Sequence, residues 1–390
     1  MTHPFVSDSH ILHRAMSHRP EKVISASGVS LFLEDGREIL DASAGPSVSC
    51  LGFGRPEIAE AVSNQINQLS YLYSGARFTC DATEELASLL LQGQPGGLSK
   101  AIFVNSGSEA TDAAIKLATQ YWHERGMPQK RHFIARKQSY HGNTIGALCV
   151  SGHDSRRAMY RDWLSSNVSF VDPCFSYRLK GNKETNDEYV KRLADQLEAE
   201  IFRIMCGMGK TGTMHAWEQE NISGGYIPLS GVLLRSKIFD ALADGSGLLA
   251  HGHTFQAHPV ACAAALEVQR IIRDEDLLGN VARMGQVLEQ LLKEEIGPLE
   301  CVGDIRGRGL FWAVEFVQNR AAKTPFLADL RLCHQIVDKA LDLGEVHVDH
   351  VIMAPPYVVT ESELRRMVGM LREAIEAVNR QVCHTESARL

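Results

Sequence analysis

The sequence predicts an α/β protein: a large domain with a mainly parallel sheet covered by helices, and a smaller α+β domain. Three observations carry this. From about residue 42 to residue 275, short apolar runs alternate with helical patterns, as strand–helix–strand units buried beneath helices do. After Asp276 the pattern changes to long amphipathic stretches around a few short runs. The chain has 390 residues, 44% of them hydrophobic and 22% charged, enough apolar material for two associated domains. The large domain is placed at 50–275, with 1–49 and 276–390 forming the smaller one.

Residues 22–41 read as a hairpin, with apolar runs at 29–33 and 39–40 broken at Asp35-Gly36. The runs at 101–104 and 145–150 read as short strands. A helix over 109–124 places Ala110, Ala113, Ala114, Leu117, Ala118 and Tyr121 on one side, and Gly126 can end it. Pro259 opens a second helix that presents Val260, Ala264, Val268 and Ile271. The tail has an amphipathic helix to Ile296, a strand at 310–317 and a helix at 330–343. A final helix is opened by a Thr360/Glu363 capping box.

Bulk properties exclude several classes of function. Net charge is -7 with no long basic run, so nothing recruits a nucleic-acid backbone, and no apolar stretch approaches a membrane span. Nine cysteines without a CxxC pair argue against a disulfide framework and a structural zinc site. The first twenty residues lack an apolar core and carry Asp8, so a cytoplasmic location is expected. Ala388-Arg389-Leu390 resembles the S-K-L peroxisomal address, which makes peroxisomal import the alternative.

Chemistry concentrates in three motifs. In AIFVNSGSEATDAAIKLA a strand turns through Ser106-Gly107-Ser108 into a helix, placing backbone N–H groups and two hydroxyls where a phosphate can sit; a plain Ser106/Glu109 cap is the simpler alternative. Tyr140 and His141 follow an apolar run, where the tyrosine can stack on a planar ligand or pack in a core, and the histidine alone reads as structural. His251-Gly252-His253-Thr254 offers an HxH pair, but no third ligand stands nearby, so a turn presenting Thr254 is favoured over a metal site.

NSGSEATDAAIKLA, SYHGNTIGAL, MCGMGKTGTMHAWEQE, GGYIPLSGVL, HGHTFQAHPVACAAALEV, DIRGRGLFWAVEF and APPYVVTESEL occur in that order. Together they resemble the class III aminotransferases, which are pyridoxal-phosphate enzymes of fold type I, over nearly the whole chain from Val29. The resemblance implies that Ser106, Gly107 and Ser108 bind the cofactor phosphate, that Tyr140, next to His141, stacks on its ring, and that Thr254 reaches the phosphate of a neighbouring subunit in a homodimer. It implies a small-molecule amino donor and a carbonyl acceptor as substrates, whose identity the residues do not reveal; Arg77 is the candidate for a substrate carboxylate.

The resemblance also exposes gaps. The family's pyridine-binding aspartate begins a run just before MCGMG, where this chain reads Phe202-Arg203-Ile204, fused to the helix-like Leu197-Glu198-Ala199-Glu200-Ile201. The Schiff-base lysine falls at Glu220, and a third segment is missing between Gly344 and Glu345. Lys210 and Lys237 stand elsewhere. No catalytic residue is therefore assigned, and any bound pyridoxal phosphate is expected to be non-covalent. Two readings follow: an incomplete version of an aminotransferase, or a pseudoenzyme retaining a phosphate pocket and a dimer surface. A decarboxylase or aminomutase on the same fold is a further alternative.

Overall fold

The computed structural model describes residues 9–14, 19–75, 77–208, 216–219, 222–346 and 351–387. They fall into two units, Met1–Arg55 with Asp276–Leu390, and Pro56–Glu275.

The first unit opens with β1 (Val23–Ser27), β2 (Ser30–Leu33) and β3 (Glu38–Asp41), each antiparallel to the next. The hairpin expected at Asp35-Gly36 is there: Gly36 takes φ +89, backbone that only glycine adopts freely, and the Asp35 carboxylate accepts from the Arg37 N–H at 3.1 Å. The break placed at 49/50 lies instead at Arg55/Pro56. Backbone pairing sets it, because Gly28 and Phe53 exchange hydrogen bonds at 3.0 and 2.8 Å. Gly52 packs so closely that a Cβ there would lie 2.3 Å from the Gly28 carbonyl.

The second unit contains α1 (Pro56–Gln68), α2 (Asp81–Leu90), β4 (Leu98–Val104), α3 (Gly107–Glu124), β5 (Phe133–Arg136), α4 (Ile145–Val150), β6 (Val168–Val171), α5 (Asn186–Met208), β7 (Ala216–Gln219), β8 (Ser230–Arg235), α6 (Ser236–Asp244) and α7 (Pro259–Asp274). β4 and β7 flank β8, each antiparallel to it, so they run the same way with one reversed strand between them. β8 is buried from Ser230 to Leu234, as a strand covered on both faces must be. On one face Ile102, Val104, Val232 and Leu234 pack against Ala113 and Leu117 of α3 and Ile238 of α6. On the other, Phe103 and Leu229 meet Leu86 of α2 and Cys262 and Ala265 of α7. The layers are helix, sheet and helix, as expected, but the sheet is not mainly parallel: of the three strand pairings described in this unit, β4–β8 and β7–β8 are antiparallel and β5–β6 alone is parallel.

The sheet is divided. β5 and β6 pair in parallel with each other, and among the described residues neither pairs with β4, β7 or β8. The run 145–150, expected as a strand, is the helix α4: six apolar residues have the length of either element, and periodicity does not separate them. Packing decides, because Gly146 lets α4 approach α3 until a Cβ there would lie 2.4 Å from Asp112 Oδ1.

Back in the first unit come α8 (Leu277–Leu291), prolonged by a π-turn at Leu292–Ile296, then β9 (Val302–Arg308), β10 (Phe311–Phe316), α9 (Leu332–Leu343), β11 (Glu345–Val346), β12 (Ile352–Met353) and α10 (Glu361–Ser387). β11 joins β3 in parallel, and β9, β10 and β12 form an antiparallel sheet. Leu288, Leu292, Trp312, Ile336, Met367 and Leu371 form the core between them. The Thr360/Glu363 box is closed in both directions, at 2.7 Å from the Thr360 N–H and 3.3 Å from the Glu363 N–H.

Candidate functional site

β4 ends at Val104 and delivers Asn105 and Ser106 to the start of α3. Ser106 has extended backbone, and its Oγ accepts from the Glu109 N–H at 3.2 Å. The Glu109 carboxylate accepts from the Asn105 N–H at 2.7 Å and from its side-chain amide at 3.0 Å. Ser108 Oγ accepts from the Asn143 N–H at 3.0 Å. Both hydroxyls are thus held as acceptors, and a serine oxygen that accepts still has its proton to donate. The N–H groups of Gly107 and Ser108 lie in the first helical turn, where no intrahelical acceptor exists. This set of donors at the positive end of an 18-residue helix fits a phosphate group.

Tyr140 and His141 come to the same place on the turn after β5. The His141 N–H donates to Ser151 Oγ at 2.9 Å, and its carbonyl accepts from Thr111 Oγ1 at 2.5 Å. Gly142 follows at φ +128, where a Cβ would stand 2.6 Å from Ser108 Oγ. Thr144 Oγ1 donates to Asp112 at 3.0 Å. The Tyr140 ring is 50% exposed with the Arg156 guanidinium 5.0 Å from its centroid, so it offers surface to a planar ligand. Sequence reasoning missed Thr111, Asn143, Thr144 and Ser151. The hydroxyl and amide residues clustered behind Tyr140-His141-Gly142 were the available signal.

Thr254 lies on a turn, as expected, and is exposed. Its carbonyl accepts from Tyr71 Oη at 2.9 Å, the Phe255 and Tyr71 rings meet edge to face at 5.9 Å, and the Ala257 N–H donates to the Phe103 carbonyl at 3.0 Å. No hydrogen bond among the described residues joins Thr254 to Ser106 or Ser108. The His251 and His253 rings stand 4.8 Å apart. Burial, with Lys116 and His253 nearby, pushes the His251 pKa down to about 4 against the opposing pull of Glu109. Both His251 nitrogens, His253 Nε2, Gln256 Oε1 and His258 Nδ1 are buried without a hydrogen-bond partner among the described residues. No group of three or more metal-ligating side chains forms among them either.

Phe202, Arg203 and Ile204, where the aspartate run was expected, all belong to α5. Phe202 points out at 66% exposure, Ile204 is buried, and Arg203 pairs with Glu200 at 2.6 Å. Lys237 and Arg77 are exposed. Lys210, Glu220 and Ala388-Arg389-Leu390 lie outside the described residues. A groove of about 950 Å³ runs along α2, β4 and α7, and its lining includes none of Ser106, Ser108, Tyr140, His141 or Thr254.

The sequence profile of the family described as Aminotransferase class-III matches residues 13–204 and 201–375, and the two stretches meet inside α5. An uncharacterized aminotransferase of Schizosaccharomyces pombe is 36% identical, with 94% of this chain and 95% of that one covered. Its alignment runs over 436 positions, so at least 46 of them (436 less 390) meet no residue of this chain. Gamma aminobutyrate transaminase 2 of Solanum lycopersicum is 28% identical over 95% of this chain and 94% of its own. The omega transaminase from Pseudomonas jessenii, solved in complex with PMP, superposes with a TM-score of 0.86 at 26% identity, covering 93% and 94% of the two chains.

Proposed function

Since this chain belongs to the class-III aminotransferases, a family that works with pyridoxal phosphate, we propose that it is an incomplete version of an enzyme that moves an amino group from an amino donor to a carbonyl acceptor. The observation that carries this is the two-part family match that meets at residues 201–204 within one helix, while Ser106, Gly107 and Ser108 keep their place at the start of α3. When bound, the cofactor supplies an electron sink. In this chain Ser106, Gly107 and Ser108 would hold its phosphate and Tyr140, carried beside His141, would support its ring, while no residue is assigned to the Schiff-base lysine or the pyridine-binding aspartate.

The amino donor of the complete form is an amine whose amino group stands away from a carboxylate. The relative named for gamma aminobutyrate and the one named an omega transaminase support this. We also propose a homodimer in which Thr254 serves the neighbouring subunit. Unpartnered polar atoms at 251–258 and the exposed Phe255 and Tyr71 beside them support that reading. A cytoplasmic location is proposed with it, and peroxisomal fluorescence from a fusion with a free C-terminus would overturn that.

Borohydride reduction in the presence of pyridoxal phosphate tests the main proposal. Bound cofactor that remains removable, with no lysine carrying it in a peptide map, is the expected result. A lysine found modified in good yield would make the chain a complete enzyme.

A further inference from the structure

Tyr140 is half exposed and meets the Arg156 guanidinium on its ring, so core packing does not fix it, and its turn begins with Gln138 at φ +63, a conformation that side-chain-bearing residues seldom take. The backbone is held instead by a template, residues 151 and 152. The Gln138 N–H donates to the Gly152 carbonyl at 3.0 Å, and the Gly152 N–H returns a bond to the Ser139 carbonyl at 2.8 Å. Gly152 must be glycine there, because a Cβ would lie 2.2 Å from the Arg136 carbonyl. Ser151 Oγ accepts from the His141 N–H and donates to the Ala147 carbonyl at 2.9 Å. Arg157 fixes Ser151 from behind, donating to its carbonyl at 2.7 Å and to that of Cys149 at 3.1 Å. From the other side Thr111, on α3, donates to the His141 carbonyl.

We propose that Ser151 and Thr111 are positioning residues for the cofactor ring: two buried hydroxyls that clamp both polar groups of the His141 backbone and so aim Tyr140 over the start of α3. This rests on the cofactor reading given above. Ser151 and Thr111 are buried polar side chains, and burial without a bond is costly, so their hydroxyls face His141 rather than solvent. Thr111 lies one turn into the helix that binds the phosphate. The clamp therefore ties the ring's support to the phosphate's support within one rigid element.

The test uses the full chain with Ser151→Ala and Thr111→Val, beside Ser151→Thr and Thr111→Ser, which keep a hydroxyl. Affinity for pyridoxal phosphate, the circular dichroism induced in it, affinity for inorganic phosphate and the thermal midpoint are measured on each. Losing the hydroxyl's bond to the His141 backbone is expected to weaken pyridoxal-phosphate binding about tenfold and to diminish the induced dichroism. Inorganic phosphate binding should stay unchanged, and Thr111→Ser should behave as the parent. In a Tyr140→Ala background the same substitutions should add nothing to the loss. Equal losses for both ligands, or an undiminished effect without Tyr140, would assign the hydroxyls a merely structural role and overturn the proposal while the cofactor reading stands. A parent chain that binds neither ligand would overturn both.

Discussion

Glu200 and Arg203 close an ion pair at 2.6 Å, one turn apart on α5, at the joint where the two family-matched stretches meet. Arg203, with Ser169 as a second donor, holds the Glu200 carboxyl down at about 2 from its ordinary 4.5. A lowered carboxyl contributes stability above its unfolded pKa and loses it as pH falls towards the folded one. The parent should therefore exceed Glu200→Gln at neutral pH and lose that lead between pH 4.5 and about pH 2. Arg203 is 64% exposed, so solvent screening limits the lead to about 0.5–1 kcal/mol. Urea unfolding at several pH values measures it, and a difference unchanged across that range would refute the assignment.

Gly142→Ala should damage the site through backbone and packing together. The φ of +128 is unfavourable for alanine, and its Cβ would press on Ser108 Oγ at 2.6 Å and Ala147 at 2.8 Å. A loss of about 2–3 kcal/mol is expected, with phosphate affinity reduced because Ser108 is displaced. Denaturant titration and phosphate binding on the same sample read both effects.

His251 predicts the opposite kind of pH dependence from a salt-bridged histidine. Its folded pKa of about 4 lies below the ordinary 6.5, so the unfolded chain takes up its proton first. The stability associated with the neutral ring is complete above pH 6.5 and drains away as pH falls to about 4. His251→Phe should flatten that slope in a pH series of unfolding curves, and an unaltered slope would place the proton elsewhere.

The outer face of α5 predicts poor solubility. Phe202 and Met205 are exposed on a helix beside a two-stranded sheet, and exposed apolar surface of this sort drives association. Phe202→Glu with Met205→Glu should raise the soluble fraction and lower light scattering. A parent chain that concentrates cleanly without light scattering, and that the double substitution does not improve, would contradict this.

Much of this was legible beforehand because it depends on local rules. The Thr360/Glu363 cap, the Pro259 start, the Asp35-Gly36 turn and the helix after Ser106 each follow from a few neighbouring residues. The run at 145–150 was not legible, because its helical state rests on Gly146 meeting Asp112, 34 positions earlier (146 less 112). The site split in the same way. Ser106 to Ser108 announced themselves by their place between a strand and a helix, and Tyr140 by its motif. The bonds to Thr111, Asn143 and Ser151 that assemble them required knowing which loop folds back on which helix.

The unbroken run of α5 through the joint has a wider consequence. A helix closes its backbone hydrogen bonds on itself, whereas a strand finds its ladder bonds in the strands beside it. Shortening a protein beside a helix therefore leaves no local scar: the reading frame of turns simply continues, and Glu200 even finds a cation one turn on. Among the described residues β7 pairs with β8 alone, and β5 and β6 pair with each other alone; on the proposal of an incomplete chain, that is where a lost strand would show. In chains of altered length, missing residues are better sought in the strand ladder than at the seam.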